Sequence, residues 1–141
     1  MRLFMYGLLV VPLAFTAGAC SSALDSLPTT PDPVIVTDVF TGTITINGAA
    51  SHPFFTSATG IVTATLTSLG ETPPAMVGFS LGTFSGTTCS ITSSGLFNDR
   101  AVVNSVVQGT VSTLGGSLCV RINDVGSLTE PVPYEIKVQH P

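Results

Sequence analysis

The sequence predicts an all-β fold, an antiparallel sandwich or jelly roll of about eight short strands, from three observations. Short segments alternate apolar and polar residues with a period of two, as strands with one buried face do. Turn residues separate these segments, and the chain holds 14 Gly and 10 Pro among its 141 residues. No segment repeats its apolar residues at helical spacing. Together these features favour two packed antiparallel sheets.

Each strand follows from a local pattern. The alternation of Val62, Ala64 and Leu66 with threonines is the clearest. The predicted strands cover residues 39–46, 51–56, 60–69, 76–84, 88–92, 105–111, 118–123 and 132–139. Asn47-Gly48, between the first two, predicts a two-residue hairpin. The last two form a predicted closing pair, and residues 93–104 are predicted to be a loop.

The composition excludes two classes of protein. Hydrophobic residues make up 44% of the chain and charged residues 9%, which opposes disorder in its main part. Apart from Arg2 near the N-terminus, the only basic residues are Arg100, Arg121 and Lys137. Three scattered cations cannot form a basic groove, so nucleic acid is excluded as a partner.

Residues 1–19 are predicted to be a bacterial export signal. Arg2 is the positive n-region, residues 3–15 are the apolar h-region, and residues 16–19 are small. The apolar run is short and holds Pro12, so it does not predict a membrane-spanning helix. Cleavage after residue 19 would leave Cys20 as the first mature residue.

The three cysteines suggest a lipid anchor. Residues 17–20 resemble a lipobox, with Ala17 in place of the usual Leu, so Cys20 is predicted to carry lipid. Cys89 and Cys119 then remain as an even pair and are predicted to form a disulfide in an oxidising compartment. Simple secretion by the ordinary signal peptidase is the alternative, since residues 17–19 also satisfy its A-x-A rule.

The mature chain divides into a tether and a domain. Residues 20–33 are rich in Ser and Pro and are predicted to be a flexible tether, and residues 34–141 form the β domain. Ser21 after Cys20 resembles the default signal for transfer to the outer membrane. The expected location is therefore the outer membrane or cell surface, with a periplasmic or secreted protein as the second choice.

Several motifs in residues 34–141 resemble the bacterial pre-peptidase C-terminal (PPC) domain in its stand-alone form. They are F-x-G-x-I from Phe40, N-G-x-x-x-H-x-F from Asn47, G-x-V-x-A-x-L from Gly60, C-V-R-I-x-D-V-G from Cys119 and Y-x-I-x-V from Tyr134. The resemblance implies a jelly-roll sandwich that is not itself catalytic and that accompanies exported enzymes. Some relatives bind collagen, carbohydrate or calcium. No enzyme domain accompanies it in this sequence, which leaves a solitary module.

A serine hydrolase is the least favoured function. Gly78-Phe79-Ser80-Leu81-Gly82 matches G-x-S-x-G, and Asp124 and His140 follow in hydrolase order. That motif, however, requires a strand, a sharp turn and a helix, whereas Ser80 lies inside a predicted strand.

Metal sites are also weakly supported. His52 and His140 are the only histidines, and no His or Cys spacing completes a zinc site. Asp124 and Glu130 could bind calcium in the closing loop. An Asx turn, with Asp124 bonded to its own backbone and Gly126 at positive φ, is preferred there. No cofactor is expected, with calcium left as the one candidate.

The expected function is a non-catalytic binding or interaction module, tethered to the membrane by an N-terminal lipid. Its partner would be an envelope or extracellular protein or polysaccharide. Threonine faces such as Thr63, Thr65 and Thr67 could bind polar ligands, although solvent-facing strand residues are the simpler interpretation. A carbohydrate-stacking platform lacks Trp and has few Tyr. A structural subunit that assembles with its own copies is the alternative.

Overall fold

Nine strands, joined by short turns and loops, account for most of the computed structural model, which describes residues 31–71, 76–93 and 96–141. The predicted signal peptide, Cys20 and most of the tether lie outside the described residues. The strands are β1 (Val36–Ile44), β2 (Ala49–Thr56), β3 (Gly60–Ser68), β4 (Val77–Ser85), β5 (Thr88–Ser90), β6 (Phe97–Ala101), β7 (Val106–Val111), β8 (Gly116–Asn123) and β9 (Val132–His140).

The strands form two antiparallel sheets with the connections of a jelly roll. Sheet A has the order β1-β9-β3-β7, and sheet B has the order β2-β8-β4, with β5 and β6 both paired to the far edge of β4. Most connections carry the chain from one sheet to the other, and only β4, β5 and β6 follow one another within a sheet. The predicted all-β antiparallel sandwich is confirmed, and its topology is the jelly roll.

The core lies between the sheets. The alternating apolar residues of β3, β8 and β9 point inward, including Leu66, Val120 and Ile136, which are fully buried. Phe79 of β4 and Ile44 at the end of β1 join the same cluster. No helix in the described part of the chain is long and apolar enough to cross a bilayer.

The predicted hairpin at Asn47-Gly48 and the predicted pairing of the last two strands are both wrong. The reversal at Asn47-Gly48 exists, with Asn47 at a φ of 53° and a hydrogen bond of 2.8 Å from Gly48 N to Thr45 O. However, β1 pairs with β9 and β2 pairs with β8, in opposite sheets. The turn residues specify that the chain reverses but not which strands pair. Crossing between sheets lets both strands place their apolar face on the shared core.

The closing strands also separate. β8 lies in sheet B and β9 in sheet A, and the segment from residue 124 to 131 crosses between them. Sheets pack about 10 Å apart, a distance that eight residues span easily. The predicted alternation of buried residues is correct in each strand, because both strands face the same core from opposite sides.

The predicted loop over residues 93–104 contains strand β6. Its pairing with β4 is irregular, with a register shift opposite Val77 and Phe79, and Ala101 is its only fully buried residue. A short edge strand with an irregular register buries no alternating set of side chains, so the sequence pattern does not reveal it.

Candidate ligand-binding cleft

Strand β4 carries small residues on its outer face. Phe79 and Leu81 point into the core, so Gly78, Ser80 and Gly82 face the outside of sheet B. A strand with small outward residues leaves space that neighbouring side chains can cover. The Asn123 side chain lies over Gly78, where an added Cβ would approach its Oδ1 to 2.5 Å.

The disulfide covers the other end of this face. Cys89 of β5 and Cys119 of β8 are joined with a Cα–Cα distance of 5.8 Å, which confirms the predicted pairing. The two strands flank β4 on opposite sides, with Cys119 opposite Gly82 and Cys89 opposite Phe84. Strands separated by a third lie about 9.5 Å apart in a flat sheet, so β5 must fold over the outer face of β4.

Gly82 permits this crossing. A Cβ at this position would lie 2.5 Å from the Ser90 carbonyl oxygen and 3.3 Å from the Cys89 sulfur. The G-x-S-x-G segment is therefore a structural requirement of the sheet: its second glycine lies under the folded-over strand that the disulfide holds.

Between the Asn123 side chain at one end and the disulfide at the other lies a cleft of about 340 Å³ on the outer face of sheet B. Its floor is β4, one wall is β8, and the other is formed by β6 and the residue after β5. The lining residues are Gly78, Phe79, Ser80, Ile91, Phe97, Asn98, Asp99 and Asn123. This volume is at the lower end of the roughly 300–1,000 Å³ typical of small-molecule sites.

Two buried polar atoms on the outer side of sheet B, among the described residues, have no hydrogen-bond partner. Ser80 is 3% exposed and its Oγ is unpaired, as is the buried Nε of Arg121, its register partner on β8. An unpaired buried polar group costs about 1–3 kcal/mol. Ser80 lines the cleft, but its Oγ has less than 1 Å² of accessible surface, so the surrounding chain itself covers this hydroxyl.

The cleft walls present further free polar groups. Asn98 is the register partner of the core-facing Phe79, so its side chain lies on the other side of β6 from Phe97, and its Oδ1 accepts a hydrogen bond from Arg100 N at 2.9 Å. Asn123 Nδ2 donates to the carbonyl of Asp124 at 3.2 Å, which leaves its Oδ1 available. The exposed carboxylate of Asp99 has no hydrogen-bond partner among the described residues. The free groups of the cleft walls are therefore acceptors, the Oδ1 of Asn123 and the carboxylate of Asp99.

Apolar surface accompanies these groups. The Phe97 ring is 48% exposed and Ile91 is 38% exposed, and both line the cleft. The sequence pattern does not reveal this wall, because residues 93–104 lack core alternation and predict a loop. An aromatic residue directly before Asn98-Asp99, at a position without core alternation, was the available signal.

The residues of the predicted triad are not brought together. His140 is buried and its Nε2 lies 3.1 Å from Asp38 Oδ2, while the Asp124 carboxylate is bonded to backbone N–H groups. Ser80 Oγ has no hydrogen-bond partner at all. The described residues thus provide no general base for Ser80.

Asp124 links the turn between β1 and β2 to the segment between β8 and β9 by hydrogen bonds. Its Oδ2 accepts from Asn47 N at 2.8 Å, and its Oδ1 accepts from the N–H groups of Gly126, Ser127 and Leu128. These bonds, that from Asn47 first, lower the pKa of the carboxyl group below its ordinary value. Both oxygens are thus occupied in the Asx-type geometry favoured from the sequence.

Glu130 is exposed and is not among the residues that bond to Asp124. No group of three or more His, Cys, Asp or Glu side chains within the described ranges is placed to hold a metal ion.

The two histidines connect the sheets at the edge formed by β1 and β2. His52 of β2 bonds through Nε2 to Tyr134 Oη of β9 at 2.7 Å and stacks on Phe40 with ring centroids 4.9 Å apart. Burial lowers the pKa of His52 and raises that of Tyr134. His140 Nε2 hydrogen-bonds to Asp38 Oδ2 of the neighbouring β1, and its ring packs against Phe54 of β2 in the other sheet with ring centroids 5.1 Å apart. Each histidine is a partly or fully buried packing residue with a hydrogen-bonded ring nitrogen.

The threonine face lies on the outside of sheet A. Thr63 accepts a hydrogen bond from Gln108 Nε2 at 3.0 Å, and Thr67 donates to Glu135 Oε1 at 2.8 Å. Lys137 and Glu135 of β9 run through the middle of this face. Side chains of this face thus bond to one another across the strands.

Comparison with protein-family models and with curated proteins finds no match to this chain.

Proposed function

We propose that this protein is an exported, lipid-anchored, non-catalytic module of the bacterial cell envelope that binds an envelope or extracellular partner through the cleft on sheet B. The lipid on Cys20 would hold it at the outer membrane or cell surface, and residues 20–33 would tether the domain. The PPC resemblance of residues 34–141 supports a non-catalytic jelly-roll module of exported proteins.

The disulfide supports export. Disulfides persist in oxidising compartments, and the pairing of Cys89 with Cys119 accounts for two of the three cysteines. The remaining one, Cys20, directly follows the predicted signal peptide, where a lipid-accepting cysteine is required.

Metabolic labelling tests the anchor. Cells expressing the full chain are grown with an alkyne analogue of palmitate, and we expect the protein to be labelled and membrane-bound. Cys20→Ala should lose the label, whereas Ser21→Ala, its matched neighbour, should keep it. An unlabelled wild-type protein released in soluble form would show simple secretion instead.

The observation that carries the binding function is the cleft of about 340 Å³ on sheet B, with the half-exposed Phe97 in its wall beside the exposed Asp99. Ligand sites are typically concave and lined by apolar or aromatic side chains with a few polar groups. An array of envelope polysaccharides and matrix proteins, probed with the purified full chain, tests this function.

Two phenylalanines provide the control. Phe97 lines the cleft, while Phe55 on β2 is 61% exposed and lies elsewhere on the outside of sheet B. We expect Phe97→Ala to lose the array signal and Phe55→Ala to keep it. Equal binding by both variants would show that the cleft is not the site.

Self-assembly is the second candidate, favoured by the edge formed by β1 and β2. Both are edge strands, and Val34, Ile35 and Val39 beside or on β1 are 81%, 57% and 56% exposed. Unpaired edges with apolar side chains favour pairing between copies. Light scattering coupled to size exclusion would detect a concentration-dependent oligomer, and a monomer at all concentrations would contradict assembly.

A further inference from the structure

We propose that a second pocket, which lies between the two sheets, binds the alkyl chain of a small uncharged molecule. This inter-sheet pocket has a volume of about 250 Å³ and shares no lining residue with the cleft on sheet B. Its apolar lining residues are Val62, Leu81, Leu96, Val111 and Leu118. The inference goes beyond the proposed function and does not depend on it.

Strands of both sheets form the inter-sheet pocket. On sheet A, Val62 of β3 is buried, and the register places Gly109 of β7 opposite it and Val111 on the same face. On sheet B, Leu81 of β4 is buried and Leu118 of β8 packs against the core. The pocket is therefore a part of the space between the sheets that core side chains do not fill.

Gly109 helps to leave this space open, because an inward position of β7 carries no side chain there. Leu96, just before β6, covers part of the gap, and a Cβ added at Gly109 would lie 2.9 Å from Leu96 Cδ2. Thr83 and Ser93 also line the pocket and are exposed to solvent. The pocket thus has an apolar interior and hydroxyl groups where it opens.

The lining indicates the class of ligand. Among the described residues, no charged and no aromatic side chain lines the pocket. A charged group would lose its hydration there without a partner, and an aromatic ligand would find no ring to pack against. An apolar cavity of about 150 Å³ stays dry and can bind a small hydrocarbon, so the larger inter-sheet pocket can hold an alkyl chain.

The test is isothermal titration of the purified full chain with straight-chain 1-alkanols from 1-butanol to 1-decanol. Each added CH₂ group that becomes buried should raise the affinity about fourfold, until the pocket is full and the affinity stops rising. 1,8-Octanediol should bind more weakly than 1-octanol, because its second hydroxyl would be buried without a partner. Failure of every alkanol to bind, or an affinity independent of chain length, would overturn the inference.

Two valines of β7 provide matched variants. Val111 lines the pocket, whereas Val106 pairs with Thr65, is 53% exposed and lies on the opposite face. Val111→Phe should fill part of the pocket and weaken 1-octanol binding by about tenfold or more, and Val106→Phe should leave it unchanged. Thermal unfolding checks that both variants fold, and Thr83→Leu at the exposed opening replaces Val111→Phe if that variant does not. Equal binding by the filled and control variants would place the alkyl chain elsewhere and overturn the inference.

Cys20→Ala distinguishes a separate molecule from the lipid proposed on Cys20. A separate molecule is favoured, because β1, the first strand after the tether, lies at the opposite edge of sheet A from β7. Wild type and Cys20→Ala should therefore bind 1-octanol equally. Weaker binding by wild type would show that its own lipid occupies the pocket and would overturn the assignment to a separate molecule. None of these outcomes bears on the cleft on sheet B, which the array tests by itself.

Discussion

The outer faces of the two sheets differ in almost every respect. On sheet A, rows of Thr, Gln and a Glu–Lys strand bond to one another across regular strands. On sheet B, glycines and Ser80 leave the face of β4 open, and a disulfide, Asn123 and the irregular strand β6 cover parts of it. Polar side chains on the outer face of sheet A hydrogen-bond to one another within the sheet. On the outer face of sheet B, unpaired polar groups remain beside the ring of Phe97.

This difference shows where binding capacity arises in a sandwich. A regular sheet is a flat surface whose side chains neighbour one another at fixed spacing, so they pair among themselves. A cleft forms where small side chains leave space on the sheet and neighbouring segments enclose that space. On sheet B, small residues on β4 leave the space, and the folded-over β5 and the strand β6 enclose it.

Removal of the disulfide, which holds β5 over the outer face of sheet B, should cause the largest loss of stability. Cys89→Ala with Cys119→Ala opens a loop of 30 residues and should cost about 3–4 kcal/mol of unfolding free energy in the chain-entropy model. Urea unfolding of the oxidised wild type and the variant measures it. Reduced wild type should match the variant, and a difference below about 1 kcal/mol would contradict the structural role.

A side chain at Gly82 should have the next largest effect. Gly82→Ala places a Cβ 2.5 Å from a backbone oxygen, which cannot move without shifting β5, so we expect a loss of about 1–3 kcal/mol. Gly116→Ala is the matched control, because its nearest atom would be 3.7 Å away. Equal thermal stability of the two variants would show that β5 does not need the glycine.

Ser80→Ala should separate stability from binding. It removes an unpaired buried hydroxyl that a ligand in the cleft does not reach, so the unfolding free energy should stay the same or rise by up to about 1 kcal/mol, while ligand binding should not change. Thr41→Val on the exposed face of sheet A removes a hydroxyl at similar volume and should change neither property. A clear loss of stability in Ser80→Ala would mean that the hydroxyl is paired within the protein.

The smallest effect is expected from pH, at the edge where both sheets meet. Burial lowers the pKa of His52 below its ordinary value of 6.5, so the folded state binds fewer protons there than the unfolded state. Stability should therefore fall as the pH drops through and below 6.5. His52→Gln keeps a hydrogen-bonding group but does not titrate, and it should flatten the dependence between pH 7 and about pH 5. An unchanged slope would exclude His52 as its source.

The sequence predicted well what depends on local alternation. The inward residues of β3, β8 and β9 follow directly from a side-chain period of two, and the oxidised pair followed from counting cysteines. The Asx geometry at Asp124 follows from the turn preference of Asp with Gly126.

What depends on distant partners could not be predicted. Asn47-Gly48 and the closing loop reverse the chain, but the choice between a hairpin and a crossing is made by the core that both strands share. The cleft is assembled from β4, β6 and β8, and its aromatic wall belongs to a strand with irregular register. No local sequence pattern indicates that Ser80 and Phe97 lie side by side.

The central claim is that ligand binding lies on sheet B and not on sheet A. Amide chemical-shift mapping of the full chain, titrated with whichever oligosaccharide or partner binds it best on the array, tests this claim most directly. The account predicts shifts concentrated at Ser80, Phe97, Asn98 and Asn123, with none at Thr63, Thr65 or Thr67. Shifts concentrated on those threonines, with the cleft unperturbed, would contradict it.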